Sequence, residues 1–152
     1  MTTQVPDILL LDGKPLRLFS TPLQPWLAQQ HIDLRTGRLN SDCWRGYRAT
    51  WQVVLDRLLL AAVEPCGTAS DAQQSQSRAR VRISREGLFP GSHDAVDATW
   101  FSGRLRCPFG QRVEEHRIGF ATQFEHELLF DVEQGRVCQV RTRRHLEAER
   151  AA

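Results

Sequence analysis

Apolar and polar residues alternate with a period of two along much of the chain, as in β-strands that have one buried face. In residues 47–55 the odd positions are apolar or aromatic, whereas the even positions are largely polar. Residues 58–63 are apolar throughout and predict a strand that is covered on both faces, with Asp56-Arg57 as the turn between the two strands. This β-hairpin is the clearest element that the pattern predicts.

The same alternation predicts further strands on both sides of this hairpin. They are expected at 8–11, 16–19, 78–84, 99–107, 114–132 (with a bend near Gly119–Thr122) and 136–142.

Glycine and proline set the expected ends of these strands. Asp12-Gly13 is a favoured two-residue hairpin turn, and Pro15 confines the strand after it to a sheet edge. Pro108–Gly110 is expected to end the strand at 99–107, and Glu133–Gly135 to turn the chain into the last strand.

The remaining segments predict one short helix and several connections. Thr21 is the expected N-cap of a helix that continues to Ala28, with Pro22 in its first turn and Pro25 limiting its length. Residues 33–42 and 85–97 are predicted loops, 64–77 a mobile loop, and 143–152 a polar, helix-prone C-terminal tail.

About eight or nine short strands with one short N-terminal helix predict a mainly β fold. The expected architecture is a single antiparallel β-sandwich or a strongly curved sheet, with an α+β fold as the alternative. A length of 152 residues predicts a single domain over 1–152. The predicted core consists of Leu9, Trp51, Val53, Leu60, Phe101, Leu105, Ile118, Phe124, Leu128 and Phe130.

Composition and net charge limit the classes of partner and the targeting segments that the sequence predicts. The chain is 41% hydrophobic and 25% charged, as in ordinary globular proteins, and its net charge of +2 is too small to predict binding to nucleic acid or membranes. No apolar run approaches the roughly 18 residues of a membrane span, and the first residues do not have the pattern of a secretory signal.

The cysteines and the basic residues bear on the compartment and the source. The four cysteines (Cys43, Cys66, Cys107 and Cys138) form no CxxC motif and are interpreted as free, reduced thiols. These features predict a cytoplasmic location. All basic residues except Lys14 are arginine, which is typical of a GC-rich bacterial genome.

Charge is distributed unevenly along the chain. Residues 113–135 carry a net charge of −5, whereas 76–112 and 136–152 carry +4 and +3. Pairing between neighbouring strands would compensate these charges across a sheet, and a charged patch that meets a partner is the alternative. The candidate partner-binding residues are Glu115, Glu125, Glu127, Arg104 and Arg106.

Signatures of catalysis are weak. The chain contains no phosphate-binding glycine loop, nucleophile elbow, zinc-protease motif or calcium loop. His116 and His126 share one face of the predicted 114–132 strand, but they would lie roughly 33 Å apart unless the strand bends. With a bend, the two histidines together with Glu114 or a cysteine could hold a metal. We therefore assign no catalytic, cofactor or metal residue, and expect no cofactor.

Two longer strings suggest kinship. Cys43-Trp-Arg-Gly-Tyr-Arg-Ala-Thr-Trp51 and Trp100-Phe-Ser-Gly-Arg-Leu-Arg-Cys-Pro-Phe-Gly110 resemble the WRGYxAxW and WFSGxLxxPxG motifs of a family of small, uncharacterised bacterial proteins. Leu11-Asp-Gly-Lys-Pro-Leu and the terminal Glu-Gln-Gly hairpin also fit, so the resemblance covers most of the chain. It implies a bacterial source and no particular activity.

The leading hypothesis is a non-enzymatic cytoplasmic module that binds another protein. One version is an immunity-type or accessory protein that presents Glu125 and Glu127 to the basic site of a toxin. The first alternative is a small hydrolase or transferase that uses a metal or His116 and His126. The second is an oligonucleotide binder with an arginine ridge beside two tryptophans, built from Arg80, Arg82, Arg104, Arg106, Trp44 and Trp100. Nucleic acid is the less favoured partner, no membrane is expected, and a homo-oligomer stays open.

Overall fold

The computed structural model describes residues 4–35, 43–66, 82–114 and 123–144. In chain order the elements are β1 (Asp7–Leu11), β2 (Lys14–Leu18), α1 (Gln24–Gln29), β3 (Tyr47–Val54), β4 (Arg57–Pro65), α2 (Arg85–Leu88), β5 (Val96–Asp97), β6 (Gly103–Glu114), β7 (Gln123–Glu133) and β8 (Arg136–Arg144). No helix in these ranges is long and apolar enough to cross a membrane.

The strands form one open sheet, which confirms the mainly β prediction in its single-sheet form. The order is β2-β1-β3-β4-β8-β7-β6, and β5 pairs with β4. Strands β1 and β3 are parallel, and the other pairs are antiparallel. The N–H of Phe19, just after β2, donates to the carbonyl of Arg106 in β6 at 2.7 Å. Since β2 and β6 lie at opposite ends of the strand order, this bond requires a strongly curved sheet.

The N-terminal hairpin has the predicted turn. Asp12 and Gly13 have φ values of 51° and 78°, the left-handed conformation that a two-residue hairpin turn requires. Pro15 lies in β2, which is an edge strand, as its missing N–H demands.

Helix α1 begins later than the sequence suggested. Its N-cap is Leu23, without a side-chain hydrogen bond, so Thr21 is not the cap. Pro25 lies in the first turn of the helix rather than limiting its length. The physical reason is that proline lacks only an N–H that has no helical partner at this position.

The central hairpin of β3 and β4 follows the predicted alternation. Tyr47, Ala49 and Trp51 are fully buried on one face of β3. The turn lies one residue earlier than predicted, at Leu55 and Asp56, which have φ values of 50° and 63°.

The prediction that Pro108–Gly110 ends a strand is wrong. Strand β6 begins at Gly103 and continues through this segment to Glu114. It is an edge strand, where proline removes no necessary ladder bond. Gly110 has a φ of 85°, and the pairing with β7 shifts between Phe109 and Arg112, so a β-bulge absorbs the irregular residues.

Other boundaries also differ from the sequence prediction. The expected loop at 85–97 contains α2 and β5, and the Ser84 side chain caps α2 by accepting from the N–H of Gly87 at 2.9 Å. Residues 143 and 144 continue β8 and do not belong to a tail. The predictions for residues 36–42, 67–81, 115–122 and 145–152 lie outside the described residues. These ranges hold most of the 33–42 loop, of the 64–77 loop and of the 78–84 strand, and the bend near Gly119–Thr122. The predicted strand at 114–132 is divided, because Glu114 ends β6 and pairs with Gln123 at the start of the antiparallel β7.

The core lies on the concave side of the curved sheet. Six predicted core residues are buried as expected: Leu9, Trp51, Leu60, Leu105, Phe124 and Phe130. Val53, Phe101 and Leu128 are half-buried at its margin, and Ile118 is outside the described residues. Trp26, Phe89 and Trp100 form an aromatic cluster that reaches Trp51.

The cysteines differ from the expected set of free thiols. Cys43 and Cys66 form a disulfide, with their Cα atoms 6.3 Å apart, across the open end of the β3–β4 hairpin. Their spacing in the sequence did not show this pairing, because only the hairpin brings the two residues together. Cys107 and Cys138 are free, and burial raises the pKa of the Cys107 thiol to about 12.

Candidate functional site

Four arginines lie on one face of the three-stranded unit formed by β6, β7 and β8. Leu105, Cys107 and Phe130 are buried in the core, so the residues that alternate with them face the opposite side. We call this surface the arginine face. It consists of Arg104, Arg106, Glu127, Leu129, Asp131, Arg141 and Arg143.

The arginine face is arranged almost symmetrically around Leu129. In the strand register, Leu129 lies between Arg106 of β6 and Arg141 of β8. Glu127 and Asp131 lie two residues before and after it on β7. Leu129 is itself only 4% exposed. The carboxylates of Glu127 and Asp131 thus lie on either side of the buried Leu129 side chain along β7.

The carboxylate of Glu127 is fully buried and bound from both sides. Arg106 Nε donates to its Oε1. From β8, Nε and Nη2 of Arg143 donate to Oε2 at 3.0 and 2.5 Å. A buried carboxylate requires this compensation, because removing its charge from water is costly.

Asp131 forms a more exposed version of the same arrangement. Arg104 Nε donates to Oδ1 at 3.0 Å, and Arg141 Nη2 donates to Oδ2 at 3.2 Å. The Asp131 side chain is 32% exposed, and its two arginines are 52% and 43% exposed. Each carboxylate therefore holds one arginine from β6 and one from β8.

The electrostatic result is a positive surface with a fixed geometry. Four guanidinium groups face two carboxylates, so the arginine face carries a formal charge of +2. Arg104 forms its ion pair through Nε, and its two terminal amino groups have no partner among the described residues. Such groups can donate to carboxylates or phosphates on another molecule.

The structure brings three of the five candidate partner-binding residues together. Arg104, Arg106 and Glu127 belong to the arginine face, although Glu127 is buried and not on a solvated face. Glu125 is half-buried, and its side chain lies beside Gly110 in the β6 bulge. Glu115 is outside the described residues.

The remaining charged members of this surface were not predicted from the sequence: Asp131, Arg141 and Arg143. The Glu-Gln-Gly turn sets the register of the last hairpin only as far as Val132, because a β-bulge between Asp131 and Val132 then shifts the pairing by one residue. This shift brings Arg143 opposite Glu127, and the sequence gives no signal for it.

Arg104 and Arg106 of the oligonucleotide alternative belong to the arginine face, whereas Trp44 and Trp100 do not. His126 stacks on Phe109 with ring centroids 4.9 Å apart, and His116 is outside the described residues. The part of the chain that the structure describes contains no cluster of three or more potential metal ligands. The Trp100 indole donates to the carbonyl of Pro22, and its ring packs in the aromatic cluster.

A second polar cluster lies under the N-terminal end of β3. Asp7 is fully buried and accepts from Arg45 Nη2 at 2.7 Å, and from Ala49 N and Trp51 Nε1 at 3.1 Å each. Burial raises the pKa of the Asp7 carboxyl, although Arg45 and the hydrogen bonds oppose this change. Burial also raises the pKa of the neighbouring Tyr47 phenol, and the Asp7 charge raises it further.

No protein-family model, curated protein or solved structure matches this chain. The resemblance through the WRGYxAxW and WFSGxLxxPxG motifs stays a prediction, and the functional proposal depends on the geometry alone.

Proposed function

We propose that the protein is a non-enzymatic interaction module that docks on an acidic surface of another protein through the arginine face. The observation that carries this proposal is the exposure of Arg104, Arg141 and Arg143 while two carboxylates hold them in place. Their side chains are 52%, 43% and 50% exposed.

The ion pairs support binding because they restrict the arginines before a partner arrives. A free arginine side chain loses conformational entropy when it is fixed in an interface. Here Asp131 and Glu127 have already fixed the Nε side of the guanidinium groups. The exposed donors of Arg104 thus meet a partner at a smaller entropic cost.

The chemistry of the surface favours a protein over nucleic acid. Arginine is enriched in protein interfaces, where it pairs with carboxylates. Binding to single-stranded nucleic acid usually adds aromatic side chains on which bases stack. The aromatic ring that lies against the arginine face is that of Phe19, beneath the Arg106 guanidinium, and Phe19 is buried and offers no stacking surface.

The proposed binding surface has the opposite charge to the one that the immunity-type hypothesis requires. Glu127 is buried between Arg106 and Arg143, and its carboxylate does not face outward toward a basic toxin site. An accessory protein that recognises acidic side chains fits the charge of this face better.

A bacterial cytoplasmic location belongs to the proposal as well. The Cys43–Cys66 disulfide weighs against it, because such bonds persist mainly in oxidising compartments. Counting free thiols in protein isolated from its native cells would decide this point. Four free thiols are expected in a reducing cytoplasm and two with the disulfide intact.

The test is affinity capture with tagged full-length protein in three forms: wild type, the double variant Arg104→Glu/Arg141→Glu, and the control Lys14→Glu. Lys14 is exposed in β2 and lies outside the arginine face. We expect an acidic protein to be retained by wild type and by the control but lost from the double variant. Its binding should weaken as salt increases, because charge pairs at a surface are screened.

Two results would contradict the proposal. One is a partner that the double variant retains as strongly as the control does. The other is captured material that nuclease treatment removes, which would assign the surface to nucleic acid. Circular dichroism of the double variant must match that of wild type before a loss of binding is interpreted.

A further inference from the structure

Strand β8 has an open backbone edge along most of its length. Among the described residues it pairs with β4 only at Arg57 and Arg136, from which the two strands continue in opposite directions. The N–H of Val137 donates to the carbonyl of Asp56 at 2.7 Å, and beyond this bond residues 138–144 pair only with β7 in the described part of the chain. Every residue of 138–144 is exposed. The strand thus presents an edge to solvent beside the tip of the β3–β4 hairpin.

The N–H of Val137 indicates which backbone groups of this edge point outward. In an antiparallel ladder, alternate residues bond to the neighbouring strand, and the residues between them direct their N–H and C=O groups away from it. Val137 points away from β7 and toward Asp56. The β-bulge that follows Val137 shifts this alternation by one residue. Beyond the bulge, Val140 and Thr142 therefore direct their backbone groups outward.

A free edge of this kind is a template for another strand. Its unsatisfied N–H and C=O groups can pair with an extended segment that is added to the sheet. Natural edge strands prevent unwanted pairing with charged side chains, and β8 carries arginine at 136, 141, 143 and 144 with no acidic residue between 136 and 144. These charges repel basic strands and select an acidic one.

The two faces of the edge differ in chemistry. Arg141 and Arg143 belong to the arginine face, and their side chains are 43% and 50% exposed. Val140 pairs with the buried Phe130 on the opposite face of the sheet and is itself 53% exposed. On an added strand, carboxylates opposite Arg141 and Arg143 would continue the charge pairing that β7 already provides. Apolar side chains between those carboxylates would cover Val140.

We propose that the partner adds an extended acidic segment to the free edge of β8, with carboxylates facing Arg141 and Arg143 and apolar side chains beside Val140. This inference rests on the proposed function, because it specifies the segment of the partner that reaches the arginine face. A second copy of β8 does not fit this edge, because it would place two arginine-rich strands side by side.

A suitable probe is an acetylated and amidated peptide of about nine residues in which glutamate and valine alternate, which is long enough to cover 138–144. We would titrate it into ¹⁵N-labelled full-length protein and follow the backbone amide signals of β8 by NMR. We expect the Val140 and Thr142 signals to shift saturably, with a dissociation constant of about 0.1 mM or below. At saturation their hydrogen exchange should slow by at least about 10-fold, because both amides become hydrogen-bonded.

Matched controls separate strand addition from simple charge attraction. A peptide of the same composition, with its glutamates grouped before its valines, should bind at least about 10-fold more weakly, because its side chains cannot alternate between the two faces. On the protein, Thr142→Pro removes an outward N–H and leaves the bonds to β7, whereas Thr142→Ala keeps that N–H. The alternating peptide should bind the proline variant at least about 10-fold more weakly than the alanine variant.

Affinity capture distinguishes a failure of this inference from a failure of the proposed function. Thr142→Pro should lose the acidic protein that Thr142→Ala retains. If both variants retain it equally while Arg104→Glu/Arg141→Glu loses it, the arginine face binds without strand addition, and only this inference is overturned. A partner that Arg104→Glu/Arg141→Glu retains contradicts the proposed function itself.

Three further results would overturn the inference. They are equal affinity for the two peptides, unchanged hydrogen exchange of Val140 and Thr142 in the presence of excess alternating peptide, and a dimer of the free protein that Thr142→Pro abolishes. The last result, measured by sedimentation, would assign the edge to a second copy of the chain. The exchange measurement uses wild-type protein, so it tests the inference even if Thr142→Pro does not fold.

Discussion

Glu127 and Asp131 provide a matched experiment on burial, because each carboxylate binds one arginine from β6 and one from β8. The two sites differ in exposure, at 0% for Glu127 and 32% for Asp131. Replacement by the isosteric amide removes the negative charge with little change in shape. Glu127→Gln removes the carboxylate that Arg106 and Arg143 share, and Asp131→Asn does the same to Arg104 and Arg141.

The expected losses in the free energy of unfolding follow from the exposure of the charged side chains. Breaking a fully buried ion pair costs about 3–5 kcal/mol, but Arg106 and Arg143 are 24% and 50% exposed and can be partly rehydrated. We therefore expect Glu127→Gln to lower the free energy of unfolding by about 2–3 kcal/mol. Asp131→Asn should lower it by about 0.5 kcal/mol, as for a surface pair.

Urea unfolding monitored by tryptophan fluorescence measures both values, and thermal unfolding provides a second readout. For a chain of this length, Tm should fall by about 4–12 °C for Glu127→Gln and by about 1–2 °C for Asp131→Asn. Equal losses in the two variants would refute the reasoning, because burial would then not determine the cost. A Glu127→Gln variant as stable as wild type would refute it as well.

Three further predictions concern other parts of the molecule. In the non-reduced folded protein, a thiol reagent should modify exposed Cys138 quickly and Cys107 only after denaturation, because burial raises the pKa of the Cys107 thiol to about 12; rapid modification of both would contradict this. Gly46→Ala should destabilise the protein by more than Gly13→Ala, since of these two positions only Gly46 has backbone atoms where the added Cβ would lie. We expect Gly13→Ala to cost about 1–2 kcal/mol, because its backbone is left-handed. Chemical denaturation measures both losses, and equal losses would be inconsistent with the backbone contact at Gly46. Burial raises the pKa of Asp7 in the folded protein above the value of about 3.8 in the unfolded chain, so the unfolded chain loses this proton first as pH rises. The stability of wild type relative to Asp7→Asn should therefore fall between pH 3.8 and the folded-state pKa, as measured by urea unfolding at a series of pH values. A relative stability that rises over this range would show that Arg45 outweighs burial.

Strands with regular alternation and tight two-residue turns were predictable from the sequence. The hairpin of β3 and β4 and the turn at Asp12-Gly13 depend on local side-chain patterning and on backbone conformation at single residues. Both signals are present in the sequence itself. The prediction therefore failed mainly at boundaries that depend on neighbouring strands.

Strand β6 shows why those boundaries were missed. Pro108 and Gly110 usually end a strand, but their cost depends on whether the strand is at an edge and whether a bulge is available. Neither condition is visible before the order of strands is known. The disulfide is a similar case, because Cys43 and Cys66 become neighbours only through the hairpin.

The candidate sites were predictable only in part. Alternation placed Arg104 and Arg106 on an outward face, but the burial of Glu127 depends on the two arginines that enclose it. Gly46 within the WRGYxAxW string gave a local hint of close backbone contact, but no indication of what lies opposite.

The contact between β4 and β8 has a consequence for how the chain assembles. These strands are paired only at Arg57 and Arg136 in the described ranges, beside backbone bonds from Leu58 N to Gly135 O and from Val137 N to Asp56 O. On one side of this seam lie strands from residues 7–65, and on the other lie strands from 103–144. Within each set, the antiparallel hairpins join segments that are close in sequence, and only the parallel pair of β1 and β3 joins distant ones. The two sets must then meet both at this seam and where Phe19 N donates to the Arg106 carbonyl, so closing the long-range contacts is expected to be the slow part of folding.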